Sequence, residues 1–208
     1  RTYVSGRIYR IRKIRSHCFK MNFCTQCGEK LSYIIPHDDD RARYVCDACG
    51  HIHYQNPLIV VVTIPCHEDK VLMCKRAIEP RYGRWTLPGG FMENDETTHE
   101  GALRETREEA NARVRLHDIY TLYSLPHINQ VHLFFRSELL DLDFSAGDET
   151  MEVKLFSEEE IPWDEIAFMP VQATLEHYFR DRKKNHFPMH CGEVKIDPST
   201  EKRVLHPL

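Results

Sequence analysis

The chain has 208 residues, 41% of them hydrophobic and 29% charged, with a formal net charge of −4. That length suits one medium domain and a small module, and the composition supports a packed core. No apolar run approaches the roughly 18 residues of a membrane helix, so no membrane partner is expected.

Residues 1–20 carry seven Lys or Arg and no acid. Beyond them 21 basic side chains face 32 acidic ones, a net of −11. Such an acidic body argues against nucleic acid as a partner. The stretch is read as a basic leader, disordered or lying ahead of a natural start at Met21; a transit segment and a basic arm for anionic surfaces are the other readings. Four of the eight cysteines fall in CxxC pairs, which points to metal and a reducing compartment. The expected location is the cytoplasm, or an organelle if the leader is a transit segment.

Residues 21–54 hold Cys24 and Cys27, then Cys46 and Cys49, with eighteen residues between the pairs. Four thiolates at this spacing suit a closed tetrahedral Zn²⁺ site. Gly28 and Gly50 follow each pair, as a tight knuckle turn requires. The segment between them reads as strand, polar turn, strand, so the module is a zinc ribbon. His51 and His53 are taken as ribbon surface, because four cysteines already complete the shell.

"YQNP" at 54–57 marks a boundary, and residues 55–185 form the main domain. Strands are expected at 58–66, 70–76, 114–125, 130–139 and 152–156. Helices are expected at 97–110 and 170–184, the second with Pro170 near its start. Mixed strands with two helices give an α/β fold. Cys66 and Cys74 lie in apolar runs and are read as buried thiols. Residues 186–208 are weakly patterned and read as a C-terminal tail. His186, His190 and Cys191 within it are read as incidental rather than a metal set.

On a helix over 97–110, Glu105, Glu108 and Glu109 share a face, and Arg104 is four residues from Glu108. Such a face suits Mg²⁺ or Mn²⁺, hard cations that take oxygen ligands and substrate phosphates. Glu96 in the preceding loop reaches toward the same ions. Gly89 and Gly90 let backbone approach them closely.

"GFMENDETTHEGALRETREEANA" (90–112) resembles the Nudix box, G-x5-E-x7-R-E-U-x-E-E-x-G-U, where U is bulky and aliphatic. Gly90, Glu96, Arg104, Glu105, Glu108 and Glu109 stand in place. Thr106 and Ala112 replace aliphatic residues and are expected to lose packing. Asn111 replaces the late Gly and still suits a left-handed helix end.

The resemblance implies a Nudix α-β-α sandwich with a mixed sheet, and a Mg²⁺-dependent pyrophosphatase. It implies Glu105, Glu108 and Glu109 as ligands, Arg104 orienting them, Glu96 as a further or shared ligand, and a general base from a later loop. Glu149 and Glu152 are the candidates for that base, with Glu149 favoured.

The ribbon, "YSLPHINQVHLFFRSEL" (123–139) and "LFSEEEIPWDEIAF" (155–168) look similar to a subgroup that hydrolyses FAD and ADP-ribose. The expected substrate is therefore a small nucleotide diphosphate: FAD, giving FMN and AMP, or ADP-ribose. NADH cleavage, another Nudix substrate such as capped mRNA, and a non-catalytic nucleotide-binding regulator are the alternatives. Tyr123, His127, Gln130 and His132 are candidate walls of a base or flavin pocket. The ribbon is a candidate dimerisation element, giving a homodimer.

Overall fold

The computed structural model describes residues 21–200 and 202–208. The basic leader at 1–20 lies outside them. The chain divides into two compact units, one ending at Tyr54 and the other beginning at Gln55.

The first unit is a three-stranded antiparallel sheet in the order β1 (Leu31–Ile34), β2 (Arg43–Cys46), β3 (Ile52–His53). Among its described residues only Cys24, Cys46 and His53 are buried, so no apolar core is found among them. The expectation that His53 is surface is corrected: it is only 7% exposed, with its ring edge-on to His51. Gly28 and Gly50 adopt φ of 79° and 74°, the left-handed turns that close the two knuckles.

The second unit is built on one mixed sheet. Its strands are β4 (Leu58–His67), β5 (Lys70–Arg76), β6 (Trp85–Thr86), β7 (Gly89–Phe91), β8 (Val114–Leu125), β9 (Gln130–Leu139), β10 (Thr150–Phe156), β11 (His190–Ile196) and β12 (Arg203–Pro207). The order is β10-β5-β4-β9-β8-β11-β12, with β6 beside β5 and β7 beside β4. β4 pairs with β9, and β8 with β11, in parallel; the other pairs are antiparallel.

Strand alternation splits the core between two helices. Val61, Leu133 and Phe135 pack with Ala102 of α1 (Thr98–Ala110). Val62, Ile64 and Phe134 pack with Leu175, Tyr178 and Phe179 of α2 (Met169–Arg182). The helices therefore cover opposite faces, which is the α-β-α sandwich. Full burial of side chains such as Phe134 and Leu175 stabilises it by about 1.5–3 kcal/mol each.

The register of β8 against β9 shifts around Ile119. This irregularity turns the adjacent residues Tyr120 and Thr121 toward the same helix. Tyr120 Oη donates to Asp181 Oδ2 at 2.7 Å, and the Thr121 and Thr174 hydroxyls meet at 2.8 Å.

Residues 186–208 are not a tail. β11 lies on β8, and β12 extends the sheet by a further strand. Gly192 permits this, because a Cβ there would stand 3.0 Å from the Tyr123 ring. His190 Nε2 lies 2.6 Å from Asp181 Oδ2.

Candidate active site on the glutamate-rich helix

α1 is capped at both ends by its own sequence. Thr97 and Glu100 form a capping box, with Thr97 N–H donating to Glu100 Oε2 at 2.8 Å and Glu100 N–H to Thr97 Oγ1 at 3.2 Å. Asn111 ends the helix at φ 48°, as expected of the residue that replaces glycine there. Its side-chain amide donates to Ser145 and Ala146, and Gly147 N–H donates to Glu109 O at 3.0 Å. Gly147 leaves no room for a Cβ against the Glu108 carbonyl, so the 141–149 loop is drawn tightly onto the helix end.

Arg104 gathers the acidic residues. Its guanidinium reaches both oxygens of Glu96 at 2.8 and 3.0 Å, Glu105 at 2.8 Å and Glu108 at 3.0 Å. It also donates to the Phe91 carbonyl at 3.1 Å. The Arg104 contact, helped by the Glu93 N–H, holds the Glu96 carboxyl down at about 2. Glu109 points elsewhere, accepting the Gly89 N–H at 3.0 Å. Burial pushes Glu109 up to about 7, and Glu105 and Glu149 add repulsion that the Gly89 bond and Arg76 offset only in part. Burial also raises Glu105, with Glu108 and Glu149 adding to it against the pull of Arg104. The pocket is short of positive charge, and its donors are oxygens only, which fits a hard divalent cation.

Among the described residues, the four cysteines are the only set of three or more potential ligands whose donor atoms all lie within 4.8 Å of one another. The glutamates stand wider apart, because Arg104 holds two of them and Gly89 the third. In the ribbon, Cys24 and Cys49 sulfurs are 3.7 Å apart and Cys27 and Cys46 3.4 Å, with no disulfide. The Cys49 N–H pulls the Cys46 thiol down to about 7, while its sulfur neighbours push Cys27 up to about 12 and raise Cys49; it is the crowding of four sulfurs within 4.8 Å that suits a thiolate-binding cation.

Glu149 and Glu152 separate clearly. Glu149 acts electrostatically on both Glu105 and Glu109, and its carbonyl accepts the Ala77 N–H at 2.8 Å. A register shift between Thr150 and Glu152 follows it in β10. Glu152 lies beyond that shift, opposite Lys75.

The pocket expectation is corrected in part. Tyr123 is 1% exposed and packs in the α2-side core, so it is not a pocket wall. His127 lies on a short 3₁₀ turn, Pro126–Ile128. Gln130 Oε1 meets His132 Nε2 at 2.9 Å. The register of β4 places His132 and Phe91 on either side of Val60, at one end of the sheet.

Sequence reasoning missed Arg76. Its charge draws Glu109 down, its Nε donates to Pro80 O at 2.9 Å, and its guanidinium lies 5.2 Å from the Phe168 ring centre. The only signal was a basic residue closing an apolar strand. Thr106, expected to lose packing, is fully buried and hydrogen-bonded.

Family models agree with this architecture. One described as Nudix N-terminal, a zinc ribbon, matches residues 22–55, and one described as NUDIX domain matches residues 56–184. A solved NUDIX hydrolase from Nitrosomonas europaea is 53% identical, with a TM-score of 0.82 over 84% of this chain and 99% of that one. An ADP-ribose pyrophosphatase of Methanocaldococcus jannaschii is 30% identical over 55% of this chain and 69% of its own length. The NAD-capped RNA hydrolase NudC of Photorhabdus laumondii is 22% identical over 77% of this chain, which spans 58% of that protein. With seven of the nine strands and both helices of its second unit inside the matched range, the chain belongs to the NUDIX family of hydrolases.

Proposed function

We propose that the chain is a Mg²⁺- or Mn²⁺-dependent pyrophosphatase that splits the diphosphate of ADP-ribose, to AMP and ribose 5-phosphate, or of FAD, to FMN and AMP. The observation that carries this reading is Arg104 gathering Glu96, Glu105 and Glu108 beside the Gly89–Gly90 backbone. The relative named ADP-ribose pyrophosphatase favours ADP-ribose among nucleotide substrates.

Bound divalent cations would neutralise the diphosphate and lower the pKa of an attacking water. Glu105, Glu108 and Glu109 would hold them, with Glu96 as a shared or orienting ligand. Arg104 fixes the rotamers of Glu96, Glu105 and Glu108 from behind. Glu149 would take the proton of the water as general base, supported by its carboxylate standing near enough to repel those of Glu105 and Glu109. Gly89 and Gly90 offer backbone to the diphosphate, and His127 and Gln130 line the nucleoside end. Cys24, Cys27, Cys46 and Cys49 would hold Zn²⁺ in a structural role, since a closed four-thiolate shell would leave no position for chemistry.

A second reading is cleavage of NADH or of NAD-capped RNA. It is favoured by the NudC relative of Photorhabdus laumondii, which matches over 77% of this chain. A non-catalytic regulator is disfavoured, because every acidic position of the box is filled.

The test is a panel of ADP-ribose, FAD, NADH, NAD⁺ and NAD-capped RNA with Mg²⁺, read by chromatography, with Glu108→Gln as control. AMP from ADP-ribose or FAD, lost in the variant, supports the proposal. Preferential cleavage of NADH or capped RNA moves the assignment to the second reading. Tight binding without any cleavage would make the protein a sensor.

A further inference from the structure

Thr106 stands where the box carries a bulky aliphatic residue, and it is fully buried. Its Oγ1 lies 2.7 Å from the Ala102 carbonyl and 2.6 Å from Oγ1 of Thr63, which is equally buried on β4. A carbonyl only accepts, so the single hydroxyl proton of Thr106 goes to Ala102. Thr63 must then donate to Thr106. Proton count alone fixes the direction of this chain from strand to helix.

Thr63 has a second tie. Its backbone N–H donates to the Pro88 carbonyl at 3.0 Å. The next residue, Gly89, donates its N–H to Glu109 at 3.0 Å. Glu109 follows Thr106 by three residues on the same helix, so both lie toward one face. The path Thr63, Pro88, Gly89, Glu109, Thr106 and back to Thr63 is closed by hydrogen bonds and short covalent runs. Gly89 is pinned within it, because a Cβ there would collide with Val61 and Val62.

We infer that the Thr63–Thr106 hydroxyl pair is a positioning device for Glu109, locking α1 in rise and rotation against β4 so that this carboxylate meets the Gly89 turn. An aliphatic side chain would fill the same space, yet apolar contact is non-directional and lets a helix slide or roll. A hydrogen bond between two buried hydroxyls does not, because each displacement leaves a polar group unsatisfied. The inference rests on the proposed reading of Glu109 as a cation ligand. Thr63 and Thr106 themselves touch neither substrate nor ion.

The test measures Mn²⁺ affinity by electron paramagnetic resonance, thermal unfolding and steady-state kinetics on the full chain. Thr106→Val keeps the volume and strands the Thr63 donor, whereas the double variant with Thr63→Val removes both polar groups. Thr106→Val is expected to bind Mn²⁺ about tenfold more weakly and lose a similar factor in kcat, with KM held within about twofold. The double variant is expected to recover most of both losses, and Thr106→Ser to stay near the wild type. Should Thr106→Val not fold, Thr63→Val carries the same test with an expected loss of about threefold, since the Thr106 proton keeps its carbonyl. Wild-type Mn²⁺ binding and kcat in Thr106→Val, with only the melting temperature lowered, would overturn the inference. A double variant no better than the single one would do the same. A wild type that binds no Mn²⁺ would overturn the metal reading of the glutamates as well.

Discussion

A Cβ placed on Gly90 would stand 2.5 Å from the carboxylate of Glu105. Gly90 does not occupy the left-handed region, so glycine is needed here for space and not for backbone conformation. Gly90→Ala should therefore push the end of a flexible side chain aside with little strain on the fold. The expected outcome is a melting temperature within a few degrees of wild type and a loss of kcat of about tenfold or more. Parallel thermal melts and ADP-ribose or FAD kinetics check it. A variant with wild-type kcat would mean that the position of Glu105 does not matter to the reaction.

Arg104 makes five hydrogen bonds with one planar group, to Glu96, Glu105, Glu108 and the Phe91 carbonyl. Lysine keeps the charge but cannot present that fork. Arg104→Lys should lower activity by roughly 10- to 100-fold, the range typical of lost support behind metal ligands. Raising Mg²⁺ should restore part of it, because the ligands themselves remain. A kcat/KM series against Mg²⁺ concentration reads this directly, and a loss that Mg²⁺ leaves untouched counts against a supporting role.

The elements legible in the sequence were those specified locally. The runs at 70–76, 114–125 and 130–139 match β5, β8 and β9, because β-branched and aromatic residues signal strand without reference to a partner. α1 was readable from its glutamate spacing and its Asn111 stop. β11 and β12 were not readable: "HCGEVKI" carries a glycine and two charges, and becomes strand through the parallel edge that β8 offers. Thr106 looked like lost packing because its partner, Thr63, lies 43 residues away. Tyr123 looked like a pocket residue because alternation along a strand does not reveal which face a second helix will cover.

Among the described residues the ribbon unit buries two cysteines and a histidine and has no apolar cluster of its own. Its folding should therefore depend on metal, worth on the order of 10 kcal/mol in isolated zinc modules. Cys46→Ser is expected to lose stoichiometric zinc and to become open to proteolysis between Cys24 and His53. A fragment starting near Gln55 should survive, since the second unit has its own core. Metal analysis with mass spectrometry of limited digests checks both. A zinc-free variant whose ribbon resists protease would show that metal is not what folds it.

His132 gives the protein a pH dependence whose sign is fixed. Burial alone pulls its imidazole down to about 4 from an ordinary value of 6.5; the residue pairs with Tyr123 across β8, and its ring centre lies 6.4 Å from that of Phe134. Its Nε2 donates to Gln130 Oε1, and burial makes the neutral ring the species that packs. The unfolded chain takes up a proton near pH 6.5, while the folded chain resists until about 4. Stability from this group is thus fully present above pH 6.5 and is lost as pH falls toward 4. His177 acts in the same direction, held at about 4 by burial and by the nearby His190 and Arg180. His132→Gln should flatten the fall in unfolding free energy between pH 6.5 and 4 by on the order of 2 kcal/mol, leaving the His177 share in place. Urea unfolding at pH 7, 5.5 and 4 measures the slope. A variant whose profile parallels the wild type would show that His132 titrates normally in the folded chain.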